Sequence, residues 1–285
     1  MKLQSFIKKI VTIAIVFISQ WSVSQVPYER ILNSNDEPQN WLTYNGGYMS
    51  QRYSLLDQIN RENVNQLELT WVLQNQVFGA WQSNPIIVDG IMYVTERPNS
   101  VMAVDAVTGR VFWKYRHQNA ENALVCCGAN NRGVAVLNDK VYMGTLDAHL
   151  VALDRVNGQP LWKAEVGDVN LAYSVTMAPL AVKNKILVGV GGGEFGIRGY
   201  VAAFDAETGA QAWKTYTIPG PGEANHDSWE GDDWEHGGAP VWITGSFDAD
   251  LNLTYWGVGD PGPDWNAGQR PGDNLYSDSA IALDA

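Results

Sequence analysis

The sequence predicts an all-β fold, and within that class a β-propeller. Three observations carry the prediction. A motif of apolar strand, Asp, turn, Gly and Trp recurs about every 50 residues. Between its copies lie pairs of short apolar runs joined by turn residues, so each period holds the strands of one propeller blade. The composition agrees, with 18% charged residues against a usual quarter or so, and with 28 Gly and 12 Trp to supply turns and large apolar anchors. A β-helix or a sandwich is the competing fold. At 285 residues the chain has room for one large domain and a substantial core.

The first element is a targeting segment. Lys2, Lys8 and Lys9 precede the apolar run 10–18, and Ser22-Val23-Ser24 offers small residues at a cleavage site. This is the three-part order of a secretory signal peptide, assigned to residues 1–24. The run is shorter than the ~20 residues of a membrane span; an uncleaved anchor helix is the competing reading. No later stretch is apolar for long enough to cross, so no stable membrane span is expected. Export places the protein where disulfides persist. Loss of three lysines and no acid moves the formal charge from −12 to −15. So acidic a chain is a poor partner for nucleic acid, whose affinity rests on cationic phosphate contacts, and can steer a basic protein.

Residues 25–40 read as an irregular mature N-terminus, and 60–69 as a short helix or turn before a strand at 69–73. The repeat then begins. Asp105, Asp154 and Asp205 each end an apolar strand, with Gly109, Gly158 and Gly209 four residues on and Trp113, Trp162 and Trp213 four beyond those. The Asp positions are 49 and 51 residues apart. Each copy reads as a hairpin, in which the Asp side chain bonds the turn backbone and the Gly tolerates positive φ. The Trp residues are read as packing that locks each blade to its neighbour. Further strand pairs precede each copy: 85–88 with 91–95 around Asp89-Gly90, 134–137 with 141–145, and 180–182 with 186–190. A last pair, 241–247 with 253–258, leads to 280–285, where the motif begins again without its Gly and Trp. The expectation is a C-terminally truncated piece of a longer protein, with about four blades begun and the propeller domain occupying residues 25–285.

The two cysteines, Cys126 and Cys127, are adjacent. Neighbouring α-carbons lie about 3.8 Å apart, under the usual disulfide window of about 4.4–6.8 Å. A bridge here closes almost no loop and removes little unfolded-state entropy, so general stabilisation does not explain it. Two buried free thiols are the other reading of the pair taken alone.

The context of Cys126-Cys127, with Arg132-Gly133 shortly after, Gly191-Gly192-Gly193-Glu194, and Trp242, all within a Trp-motif propeller behind an export signal, resembles the pyrroloquinoline quinone (PQQ)-dependent alcohol dehydrogenases of the methanol/ethanol family. The resemblance runs from Trp41 to Ala285. It implies an eight-bladed quinoprotein-type propeller, of which only about the first half is present. It further implies that Cys126 and Cys127 form a disulfide lying on one face of the quinone and that Trp242 lies on the other. Arg132 would reach the cofactor, whose carboxylates suit a planar guanidinium. Thr176 would bind one of those carboxylates. The backbone of Gly191, Gly192 and Gly193 would close on the cofactor, since glycine permits close approach. Glu194 would ligate the family's metal, Ca²⁺ or a lanthanide, both hard cations that take oxygen.

Three positions depart from the family pattern. Asp260, in Gly259-Asp260-Pro261, stands where a metal-ligating Asn is usual, and adds a charge to the site. Gln82 stands where a Glu usually touches the quinone; it keeps hydrogen-bonding capacity and loses the charge. Gly191 stands where some relatives carry Ser. The family's catalytic Asp falls past Ala285, and Asp233, Asp264, Asp273 and His226 are not promoted in its place.

The resemblance implies a periplasmic enzyme that oxidises a small primary alcohol to an aldehyde with PQQ and a metal ion, and passes electrons to a periplasmic cytochrome c. The competing function is a non-enzymatic envelope propeller acting as an interaction scaffold.

Overall fold

The computed structural model describes residues 24–285, so the signal-peptide assignment lies outside the described residues except at Ser24. Among the described residues fifteen strands form four antiparallel sheets. The first blade is β1 (Ile86–Val88), β2 (Ile91–Glu96), β3 (Ser100–Asp105) and β4 (Val111–Arg116). The second is β5 (Val134–Leu137), β6 (Lys140–Gly144), β7 (His149–Asp154) and β8 (Pro160–Glu165). The third is β9 (Leu180–Val182), β10 (Lys185–Gly189), β11 (Tyr200–Asp205) and β12 (Gln211–Tyr216). The fourth sheet holds β13 (Ser246–Asp248), β14 (Leu253–Gly257) and β15 (Ala280–Asp284). Within each sheet the strands pair in chain order, the meander of a blade. The first strands of successive blades, β1 with β5 and β5 with β9, are in contact, as strands around a propeller axis must be.

The hairpins form as the repeat predicts. One carboxylate oxygen of Asp105 accepts from the N–H groups of Val107 and Thr108, that of Asp154 from Val156 and Asn157, and that of Asp205 from Glu207 and Thr208. The backbone bonds hold the carboxyl of Asp105 below the ordinary aspartate value, and the Thr208 hydroxyl, followed by the backbone bonds, does the same for Asp205. In each hairpin the register slips by one residue just before the Asp, at Ala103/Val104, Ala152/Leu153 and Ala203/Phe204. This bulge sharpens the twist of the outer hairpin.

Two of the three motif Trp residues lock onto the next blade's hairpin, while the buried indole N–H of Trp213 has no hydrogen-bond partner among the described residues. The indole N–H of Trp113, on β4, donates to the carbonyl of Arg155 at 3.1 Å, and that of Trp162, on β8, to Ala206 at 3.2 Å. Trp71 makes the same bond to Ala106 at 3.1 Å, from a segment that precedes the first blade. The bonded carbonyl always belongs to the residue after the motif Asp, and the ring lies over the motif Gly of that hairpin.

Two strand expectations are corrected. Residues 69–73 carry no strand. Among the described residues they have no neighbouring strand to ladder onto, Leu69 and Val72 are exposed, and the Trp71 indole is what ties the segment down. The preceding stretch holds only a turn and one short 3₁₀ helix, Val64–Gln66. The strand placed at 241–247 shrinks to β13, because Val241 bonds through its N–H to Val190 in the third blade instead of laddering along its own sheet.

The N-terminal segment straps the end of the blades that carries the β1–β2 and β5–β6 turns. Val26 pairs with Asn138 in both directions, at 3.0 and 2.7 Å, and Trp41 pairs with Ile87. Arg30, in the short helix α1 (Tyr28–Leu32), forms ion pairs with Glu37 and with Asp89 of the β1–β2 turn. Among the described residues no helix is long and apolar enough to cross a membrane.

Candidate functional site

The meander decides where the predicted site residues emerge. The segment before β1 carries Gln82, and the β4–β5 connection carries Cys126, Cys127 and Arg132. Thr176 lies between β8 and β9, Gly191–Glu194 between β10 and β11, Trp242 between β12 and β13, and Asp260 between β14 and β15. In a four-strand meander all these connections leave from the same end of the blade. That end is opposite the one strapped by the N-terminal segment.

Cys126 and Cys127 form a disulfide, which excludes the free-thiol reading. The backbone turns sharply there, with φ of 64° at Cys127 and 94° at Gly128. Side chains pin this turn from several directions. Asn130 donates to the Cys127 carbonyl at 2.9 Å. Arg97, from the β2–β3 turn, reaches the Ala129 carbonyl at 3.2 Å and the Phe78 carbonyl at 3.2 Å. Buried Asn131 donates to the Gly144 carbonyl at 2.8 Å, and its own carbonyl accepts from the Thr95 hydroxyl at 3.0 Å. A rigid plate on an otherwise irregular connection needs such support.

The Glu194 carboxylate, from the third blade, lies within 4.8 Å of both cysteine sulfurs. These three residues line an open cavity of about 490 Å³ together with Pro263, Asp264, Trp265 and Asn266. Glu194 is exposed, on a 3₁₀ turn Gly193–Phe195. The three glycines before it are buried. A Cβ on Gly192 would collide with the Ala172 carbonyl, and one on Gly193 would stand 2.8 Å from the Pro240 ring. The glycines therefore let this loop nest between two neighbouring connections, which sets where Glu194 projects.

Arg132 and Thr176 are brought together. The Arg132 backbone N–H donates to the Thr176 carbonyl at 3.1 Å, and its guanidinium reaches the same oxygen at 3.3 Å. A Cβ on Gly191 would lie 3.7 Å from the Thr176 hydroxyl. The guanidinium also stacks over Trp242, 4.9 Å from the ring centroid. Its partial burial lowers its pKa. Among the described residues no salt bridge involves Arg132 or Glu194. A half-buried guanidinium without a counter-charge fits an anionic ligand, and an exposed carboxylate at a cavity wall fits a hard cation. The residues present thus suit a carboxylated planar cofactor and an oxygen-seeking metal.

Other predicted residues stand apart. Trp242 is exposed, has Arg132 against its ring and does not line the disulfide cavity. Gln82 is exposed and does not line it either, although Asn84, two residues on, donates through its backbone N–H to the Arg132 carbonyl at 3.0 Å. Asp260 is outside the Cys126–Cys127–Glu194 group. Its carbonyl accepts from Ala239 at 2.9 Å, while its carboxylate faces Asp278. Burial, and then the Asp260 charge, push the Asp278 carboxyl above the ordinary aspartate value. Sequence reasoning missed Arg97, Trp265 and Asp278, because none of them belongs to a repeat or a contiguous site motif. Their roles follow from which loops share an end of the blades.

A model of the glucose/ethanol/alcohol dehydrogenase β-propeller domain, a PQQ domain, matches residues 41–285. The quinohemoprotein alcohol dehydrogenase ADH-IIG of Pseudomonas putida is 42% identical over 276 residues, covering 90% of this chain and 38% of that protein. Its solved structure, from strain HK5, superposes with a TM-score of 0.87 at 40% identity, over 92% of this chain and 41% of that one. A europium-containing methanol dehydrogenase superposes with a TM-score of 0.84 at 37% identity, over 90% of this chain and 48% of that one. The chain spans less than half the length of these relatives.

Proposed function

The chain belongs to the PQQ-dependent glucose/ethanol/alcohol dehydrogenase β-propeller family, and from that premise we propose that the protein is a quinoprotein dehydrogenase that oxidises a small primary alcohol to the aldehyde. One observation carries the reading: a disulfide between adjacent cysteines and a free carboxylate, Glu194, face each other across one cavity at the loop end of the blades. A scaffold propeller needs blade-locking Trp residues and has no use for that pair.

The roles of the chain's own residues follow from their chemistry. The Cys126–Cys127 ring offers a rigid, apolar plate for a flat conjugated cofactor, and Arg97 and Asn130 keep it from shifting. Trp242 offers an indole of little conformational freedom for a second flat contact. Arg132, Thr176 and the backbone at Gly191 bind carboxylates, with Arg132 held in place by Thr176 and Asn84. Glu194 holds a metal ion; Asp260, whose carboxylate faces Asp278 in this structure, would have to turn toward Glu194 to serve as a second oxygen ligand, and two carboxylates would then favour a highly charged ion. PQQ and its metal, when bound, supply a polarised carbonyl that accepts the two electrons of alcohol oxidation. Gln82 donates and accepts hydrogen bonds without adding charge. Trp265 and Asp264, on the cavity wall, limit the space for substrate. The export signal read in residues 1–24 places the enzyme in the periplasm, with a cytochrome c as electron acceptor.

The test is alcohol-dependent dye reduction by the full-length protein reconstituted with PQQ and either Ca²⁺ or a lanthanide. Turnover with one metal class supports the proposal and names the metal. PQQ binding without turnover under either metal, or no PQQ binding at all, overturns it and leaves the scaffold role.

A further inference from the structure

We propose that His117, Asp147 and His149 form a second metal site, for a divalent transition-metal ion of the zinc class, across the junction of the first two blades. His117 follows β4 of the first blade. Asp147 and His149 stand in and just after the β6–β7 turn of the second. Each residue offers one ligand atom, and all three atoms lie within 4.8 Å of one another. His117 Nε2 is 2.9 and 3.0 Å from the two carboxylate oxygens of Asp147, and His149 Nδ1 is 3.5 Å from the nearer of them. Donor atoms bound at about 2.0–2.2 Å around a tetrahedral ion stand roughly 3.3–3.6 Å apart; the His149–Asp147 separation already fits, and the His117–Asp147 contact would open by a few tenths of an ångström to admit an ion. Two imidazoles with one carboxylate select zinc-class ions over the oxygen-seeking cations that suit Glu194.

A hydrogen-bonded clasp between the blades would need only one of these histidines. Asp147 is already supplied by His117, by the Thr145 hydroxyl at 2.6 Å and by the Ala120 N–H at 3.1 Å. These bonds also fix the carboxylate in place, as ligand carboxylates require. The second histidine is the one a clasp leaves unexplained. His149 Nδ1 is buried and has no hydrogen-bond partner, although its ring leans toward His117 with centroids 6.2 Å apart. A buried nitrogen left unpaired is destabilising, and an ion between the two rings would satisfy it. Three protein ligands leave a fourth position for water, and the partly exposed edge of His149 gives the ion a way in. Bound there, the metal would tie two blades together and add its binding free energy to the fold.

The test uses the full chain, stripped with a chelator and titrated with Zn²⁺, with Co²⁺ as a visible-absorbing substitute. One Zn²⁺ per chain is expected. His117→Gln and His149→Gln should each weaken it at least tenfold with the far-UV circular dichroism unchanged, while Glu194→Gln leaves it intact. X-ray absorption of the Zn²⁺-loaded wild-type chain gives a reading that does not depend on variants folding. A shell of imidazole nitrogen and oxygen supports the site, and sulfur in the shell moves the ion to Cys126–Cys127 and overturns it. No Zn²⁺ uptake, or uptake unchanged in both histidine variants, overturns it equally.

Discussion

The ring of Trp162, from the outer strand of the second blade, lies so close over Gly209 in the third that a Cβ there would stand 2.7 Å from it. The motif's Gly and Trp, four residues apart in sequence, therefore do not pack on each other. Gly158 and Gly209 each receive the Trp of the blade before them, and Gly109 receives Trp71 from the segment that precedes the first blade.

Gly209→Ala should lower stability more than Gly90→Ala. Both glycines sit at similar positive φ, 72° and 77°, and share a left-handed backbone cost of about 1–2 kcal/mol. Nothing lies within 4 Å of a Cβ at Gly90, so only Gly209→Ala adds overpacking of about 1–3 kcal/mol. Urea unfolding of the two variants checks this; equal losses would refute the stacking.

Arg97→Ala should weaken PQQ binding by about tenfold or more and lower the melting temperature by several degrees with the chain still folded. The guanidinium's hydrogen bonds to Ala129 and Phe78 hold the disulfide turn, and a charged donor contributes about 1.5–3 kcal/mol. Quenching of Trp fluorescence by PQQ gives the affinity. An unchanged affinity would mean the turn holds its shape without Arg97.

Arg132→Lys should be far from conservative. Lysine keeps the charge and loses the planar fork that pairs with carboxylates and stacks on Trp242. PQQ affinity should fall by about one to two factors of ten, with the fold intact. Retained affinity would place the cofactor's carboxylates elsewhere.

Glu194→Gln should abolish metal-dependent activity in the full-length protein and leave the apo stability within about 0.5 kcal/mol, because the side chain is exposed and unpaired. Activity against added Ca²⁺ or lanthanide, beside a thermal melt of the apo form, separates the two effects.

Acid should release the N-terminal strap before the blades. Hydrogen bonds from Arg30 hold the carboxyls of both Glu37 and Asp89 below their ordinary values, against an opposing but smaller effect of burial. Their contribution is complete above the unfolded-state values of about 4 and is lost as pH falls through the lower, folded ones. The groups are partly solvated, so each pair is worth at most about 1 kcal/mol. The protection factor of the Val26 amide, its exchange rate taken against the intrinsic rate at each pH, should fall below about pH 4, and Arg30→Gln should remove that fall.

Local patterns carried much of this protein. The period of Asp, Gly and Trp announced the hairpins because a turn needs an acceptor and a residue tolerant of positive φ, and both are visible one residue at a time. The Cys-Cys pair, the Gly-Gly-Gly-Glu loop and Arg132 were legible because each is a contiguous motif. The strand expected at 69–73 was misread for a converse reason: its apolar residues are local, but a strand exists only if a partner chain segment lies beside it. Which blade each Trp locks, which side chain pins the disulfide turn, and whether Asp260 meets Glu194 or Asp278 depend on residues far apart in the chain. So does the meeting of His117 with Asp147 and His149, one from each of two blades. The blades and the chemistry on their loops are written in contiguous residues; which loops meet is set by how whole sheets pack around the axis, because contacts across blades join residues far apart in the chain.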